Sequence, residues 1–236
     1  MPAQSIGEAT LMSGAWFDAW VSGPRFARYL EAANGDRHRA RRLYDWNTEL
    51  SSAFLHDFAH LEVGLRNSFD RALTRGAVAD DDHWTRPSSL VRLFPSAVSS
   101  RSGRSPQRDP QAVTRRKVEE AALRAGRGDR VALPGRVVAE LSFGFWTQLT
   151  SDRHEKSLWV PYLHRAYPAG TSRHAVRDAL EELRVVRNRI AHHEHLLRGG
   201  ELHRRRLLDQ VRRLSEGAAV DLVERSRVAE ILTRRP

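Results

Sequence analysis

Between Asp36 and Gly76 the chain runs without a proline, and Leu43, Trp46, Leu50, Phe54, Phe58, Leu61, Leu65 and Phe69 recur every three or four residues. That spacing stacks them on one side of an α-helix and on no single side of a strand. Asp36 stands where a helix N-cap is wanted, and Gly64 is the one glycine before Gly76. The stretch therefore reads as two helices, or one bent helix, ending near Arg75 and Gly76. Its large side chains read as a core stripe, not as a cofactor box.

The rest of the chain carries the same period. Gly14–Val21 forms a short aromatic turn or helix. Ser22, Gly23 and Pro24 start another, with Phe26, Tyr29 and Leu30 inward, and Asn34-Gly35 stops it. Gln111–Arg124 is a charged helix followed by a turn over Gly126–Asp129. Pro134 opens a helix through Thr150 with Val138, Leu141, Phe145 and Leu149 on its inner side, Gly144 marking a kink or a close approach. Ser157–Tyr167 carries Trp159 and Leu163 and is interrupted by Pro161. Gly199-Gly200 breaks the chain before two last amphipathic helices, Glu201–Leu214 and Ala219–Leu232. No segment alternates apolar and polar residues with β-branched enrichment, so the expected fold is all-α. We expect one domain from residue 13 to 236 after a flexible tail over residues 1–12. Inside it, residues 80–110 form a basic loop rich in Ser, Pro and Arg, with a short element near Leu90–Phe94 and with Arg101, Arg104 and Arg108 at its end.

The charge points outward to a partner. Lys and Arg total 39 against 29 Asp and Glu, a net charge of +10, and nearly all of the cations are arginine. The guanidinium fork matches phosphate oxygens, so RNA or DNA is the natural ligand class, although an arginine-rich genome-wide composition produces the same number. There is no cysteine, which excludes disulfides and thiolate metal sites. The N-terminus lacks the basic-then-apolar pattern of a secretion signal, and no apolar run approaches the roughly 20 residues that span a bilayer. The expected location is cytoplasmic, with no membrane partner.

Residues 171–197 concentrate the chemistry. Val176, Leu180, Leu183, Val186, Ile190 and Leu197 recur at three, four or seven as a buried helix face, with His193 as the one gap. At about 100° per residue, Asn188, His192 and His195 share a second face with Val185, and Arg187 lies about 140° round from His192, within reach of a common phosphate. On the earlier helix Glu62 and Arg66 stand at i, i+4, the spacing of an intrahelical ion pair, and Arg66-Asn67 echoes Arg187-Asn188.

Three segments, RLYDWNTELSSAFLHDFAHLEVGLRN (42–67), ELSFGFWTQL (140–149) and LRVVRNRIAHHEHLL (183–197), together resemble the Abi-like abortive-infection family. The last also resembles the signature of the wider HEPN group: an Arg, a polar residue, three more residues and a His, here Arg187-Asn188-Arg189-Ile190-Ala191-His192. The resemblance implies a HEPN-like helical bundle with additional helices and one long loop. It implies a homodimer whose motif helices face each other across a cleft, and a metal-independent endoribonuclease of an anti-phage or toxin–antitoxin system, with a small-RNA or protein antitoxin as a possible partner. Carried over by position, Arg187 and His192 form the catalytic pair and Asn188 orients. Glu62, Arg66, Asn67, His193, His195 and Arg184 are supporting or RNA-binding residues, with either His192 or His193 as the working imidazole.

The residue types suit that chemistry. Cleaving RNA without a metal requires removing the 2′-OH proton, stabilising the phosphorane's added charge and protonating the leaving 5′ oxygen. Histidine can do either proton step near neutrality, and arginine supplies fixed positive charge. A two-fold dimer would bring two of each to one groove. The alternative is a non-catalytic RNA-binding protein that holds a structured or small regulatory RNA in the same basic cleft. A helical protein-interaction module is a third. No cofactor is expected. A zinc site would rest on His192 and His195 at i, i+3 with a third ligand from elsewhere, and the sequence has no HExxH.

Overall fold

The computed structural model describes residues 15–77, 83–96, 109, 111–126 and 132–236. Two short helices, α1 (Ala15–Val21) and α2 (Gly23–Ala32), lead into the proline-free stretch, which is a single helix, α3 (Arg37–Ala77). Its 41 residues, at about 1.5 Å each, make a rod of about 60 Å. Of the two readings the sequence allowed, the uninterrupted one holds, because nothing in it breaks the backbone ladder. Gly64 lies in the helix where Leu214 packs against it, 4.0 Å from the position a Cβ would take. Asp36 caps the first turn, its Oδ1 accepting from the Arg39 N–H at 3.0 Å, and that bond holds its carboxyl below the usual range.

The remaining helices are α4 (Pro87–Leu93), α5 (Ala112–Gly126), α6 (Pro134–Glu140), α7 (Phe143–Gln148), α8 (Arg173–Ala191), α9 (Gly200–Leu214), α10 (Glu216–Arg225) and α11 (Val228–Thr233), with 3₁₀ and π turns over 152–166. No strand occurs among the described residues, and the fold is all-α. The rod α3 packs against α2, α7, α8, α9 and α11. All eight residues of its stripe are buried, in one hydrophobic cluster that runs from Phe17 on α1 to Ile231 on α11. Near its N-terminal end the Trp46 indole donates to the Ile231 carbonyl at 2.7 Å, so the first and last parts of the described chain meet there.

Four expected boundaries move. The helix expected from Pro134 to Thr150 is two: Leu141 and Ser142 are extended, and the Ser142 Oγ accepts from the Phe145 N–H at 3.3 Å to start α7. The break is this serine cap, not Gly144, while Val138, Leu141, Phe145 and Leu149 are buried as their spacing requires. The final helix expected over Ala219–Leu232 is also two. It breaks at Ser226, whose hydroxyl donates to Asp57 Oδ2 at 2.6 Å and accepts from the Val228 N–H at 3.3 Å. The short element in the long loop starts earlier than expected, at Pro87.

The fourth change bears on function. The helix expected to continue to Leu197 stops at Ala191. Residues 1–14, Arg101, Arg104, Arg108 and the turn after Gly126 lie outside the described residues. No helix among the described residues is long and apolar enough to cross a membrane.

Candidate functional site

The stop at Ala191 is a backbone motif. His193 takes a left-handed conformation, φ 55°. Its N–H bonds to the Ile190 carbonyl at 2.9 Å, and the Glu194 N–H reaches back to the Arg189 carbonyl at 2.8 Å. This is a Schellman closure, with histidine where glycine is usual. Its consequence corrects the shared face expected for Asn188, His192 and His195. His192 is the C-cap residue, exposed and one turn past Asn188, to whose carbonyl its N–H is bonded at 2.9 Å. His195 has left the helix. His192 and His195 therefore do not present the i, i+3 pair that a zinc site on one helix would need. Among the described residues no group of three or more His, Cys, Asp or Glu is placed to hold a metal ion.

The segment after the cap is pinned from three sides. The Leu196 N–H donates to Asn47 Oδ1 on α3 at 2.6 Å, with Asn47 itself buried. Arg189 bonds the His195 carbonyl at 2.8 Å and pairs with Glu194 at 3.4 Å. The His195 ring meets Tyr29 edge-on at 6.4 Å. Leu196 and Leu197 are buried, so the apolar seam read across 176–197 continues in space although the helix does not. Asn47 was not legible as a positioning residue, since nothing in its local sequence connects it to a segment 149 positions away.

Arg187 lies at the edge of the buried face of α8, between Leu183 and Leu180 in angle, and turns toward α3. There its Nε donates to Glu62 Oε1 at 2.8 Å. The side chains remain 37% and 27% exposed, so this half-open pair ties the two helices without removing the guanidinium from water. The intrahelical Glu62–Arg66 pair that the spacing permits is thus replaced by an interhelical one. Arg66 is half-buried with its Nε lacking a hydrogen-bond partner among the described residues, and Asn67, one residue on, is exposed. The structure brings Glu62 and Arg187 together at the α3–α8 junction, with Arg66 about one helical turn further along α3. Asn188 is half-buried on the outer side of α8, and His192 stands about 7.5 Å further along the axis than Arg187, from the helical rise.

His193 is exposed, its backbone committed to the turn. His195 is half-buried and lines a cavity of about 490 Å³ with Arg28, Arg189, Arg198 and Arg235, against one carboxylate among the described residues, that of Glu31. Burial first, then Arg189 and Arg28, push the His195 pKa down, which favours its neutral form. Arg184 is directed elsewhere. It forks onto Glu181 through Nε at 2.9 Å and Nη2 at 2.5 Å, and its stem passes over Gly144 on α7.

A histidine at a helix end, an arginine held in place but wet, and a cavity beside them dominated by guanidinium groups can bind phosphate esters and exchange protons with them. No family model, curated protein or solved structure matches this chain.

Proposed function

We propose that the chain is a metal-independent endoribonuclease acting at the C-terminal end of α8, in keeping with the Abi-like and HEPN resemblance of that segment. The observation that carries the reading is the Glu62–Arg187 bond. It sets a guanidinium at the α3–α8 junction within five residues of an exposed imidazole, that of His192 at the C-cap of the same helix. Arg187 would offer paired donors to the phosphorane oxygens while His192 removes the 2′-OH proton or returns one to the 5′ oxygen, leaving a 2′,3′-cyclic phosphate and a 5′-OH. Two protons must move, and a homodimer with facing motif helices would supply the second imidazole. Asn188 would orient the reacting groups, and the arginine-lined cavity at His195 would hold RNA beyond the scissile bond. An anti-phage or toxin role, with its antitoxin, belongs to the same reading.

Purified protein incubated with end-labelled RNA in EDTA tests it. Cyclic-phosphate ends that disappear in Arg187→Ala and His192→Ala support the reading, and unchanged cleavage by both folded variants sinks it. A second reading is a non-catalytic protein that holds RNA in the same place. It is favoured by the His192 ring, which has no hydrogen-bonding partner among the described residues to orient it. Salt-sensitive RNA binding without product ends would select that reading.

A further inference from the structure

On the outer side of α8, two turns before the Arg-Asn motif, a cleft of about 560 Å³ opens between α5, α7, the 3₁₀ turn at 152–154 and α8. Among the described residues, cationic side chains line it from three directions: Lys117 from α5, Arg153 from the turn, and Arg177 and Arg184 from α8. Two carboxylates also line it, and both are already engaged. Asp152 is bonded to Arg173, whose guanidinium is buried and also holds the Thr150 carbonyl at 2.8 Å. Glu181 takes the Nε and Nη2 of Arg184.

Arg177 is different. It acts electrostatically on both Asp152 and Glu181 yet forms no hydrogen bond or ion pair among the described residues, so its five donors are open to the cleft. Lys117 is kept in place by Gln148 Oε1 at 2.9 Å, which uses one of its three protons. Ser142, Thr147 and Ser151 add hydroxyls, and Gly144 in the lining carries no side chain that would narrow the space in front of Arg184. Among the described residues no aromatic ring lines the cleft, so a base would find no ring there to stack on.

We propose that this cleft binds the phosphate groups of a nucleotide or of an RNA backbone, recognising the anion and not the base. The cations are spread over three elements that the core fixes, so their mutual repulsion is relieved by an incoming anion instead of by side-chain departure. The proposal does not depend on catalysis at His192, and it is read by binding, not by cleavage.

Calorimetric titration of the full chain with tripolyphosphate, ATP and an oligouridylate tests it, with melting curves recorded for every variant. Tripolyphosphate or the oligouridylate should bind, weakening as salt rises. Arg177→Ala should weaken that binding at least about tenfold, the loss of one charge-assisted contact. Glu181→Gln, which removes a negative charge from the cleft, should strengthen it, and Arg212→Ala, on the far helix α9, should leave it unchanged. ATP should match tripolyphosphate within about tenfold where both bind. Displacement of tripolyphosphate by the oligouridylate places the cleft on an RNA path. Displacement by ATP alone makes the ligand a free nucleotide. Absence of binding by all three probes overturns the proposal. So does binding that Arg177→Ala leaves within tenfold of the original, that Glu181→Gln fails to strengthen, or that prefers ATP to tripolyphosphate more than tenfold.

Discussion

The Nε of Arg187 and the Oε1 of Glu62 meet at 2.8 Å across two helices, 125 positions apart in the chain. A pair this exposed contributes only about 0.2–1 kcal/mol to stability, so its geometric effect outweighs its energetic one. Glu62→Gln should melt close to the wild-type temperature. If Arg187 acts on phosphate, Glu62→Ala should lower kcat for RNA by up to about 10²-fold through misplacement of the guanidinium. Arg187→Ala should cost about 10²–10³ in kcat. Glu62→Asp restoring part of the rate, with KM little changed, would mark Glu62 as a positioning residue.

The two adjacent histidines should separate cleanly. His192→Ala is expected to lose about 10²–10⁴ in cleavage rate with little change in melting, because its ring is exposed. His193→Gly should do the opposite. A left-handed turn costs an L residue roughly 1–2 kcal/mol, and glycine's greater unfolded freedom takes back roughly 0.5–1, so denaturant unfolding should show a gain of up to about 1.5 kcal/mol. Cleavage kept in His193→Gly and lost in His192→Ala assigns the working imidazole.

Asn47→Ala should strand the Leu196 N–H in a buried position. An unmade bond there costs about 1–3 kcal/mol in chemical denaturation. Hydrogen exchange of residues 194–198 should accelerate more than that of α9, showing that the segment beside the motif, and not the whole bundle, has come loose.

Acid should destabilise the protein through His154. Its ring is fully buried, with Nε2 3.4 Å from Thr114 Oγ1 and no partner for Nδ1 among the described residues. Burial, aided by Arg153, lowers its pKa to about 4. The folded state therefore prefers the neutral ring, and the unfolded state takes up a proton first. Stability from this group is complete above pH 6.5 and is lost as pH falls toward about 4, by on the order of 3 kcal/mol. His195 and His203, both shifted down by burial, act in the same direction. Unfolding followed from pH 7 to pH 4 should show a shallower decline in His154→Gln than in the wild type.

Burial was legible in the sequence wherever it followed helical periodicity. Every residue of the α3 stripe and of the 176–190 seam is inside, because a 3.6-residue period leaves a large apolar side chain one place to go. Helix ends were less legible. Ser142 and Ser226 break helices by bonding backbone N–H groups, and serine does that only where tertiary contacts favour it. The end at Ala191 was hidden because histidine occupies a turn that glycine usually marks. The Glu62–Arg187 and Asn47–Leu196 contacts had no local signal at all, since each joins positions more than 120 apart.

The meeting of Trp46 with Ile231 also sets a schedule for synthesis. These residues are 185 positions apart, which at about 5–20 residues per second is roughly 10–40 s of translation. Throughout that interval the nascent rod can coil into a helix but lacks its last covering helix, leaving tryptophan and its neighbours within reach of other sticky chains. A holdase chaperone at the ribosome exit would guard that window. Trimming the last few residues should lower the soluble yield in cells more than it lowers the equilibrium stability of whatever folds.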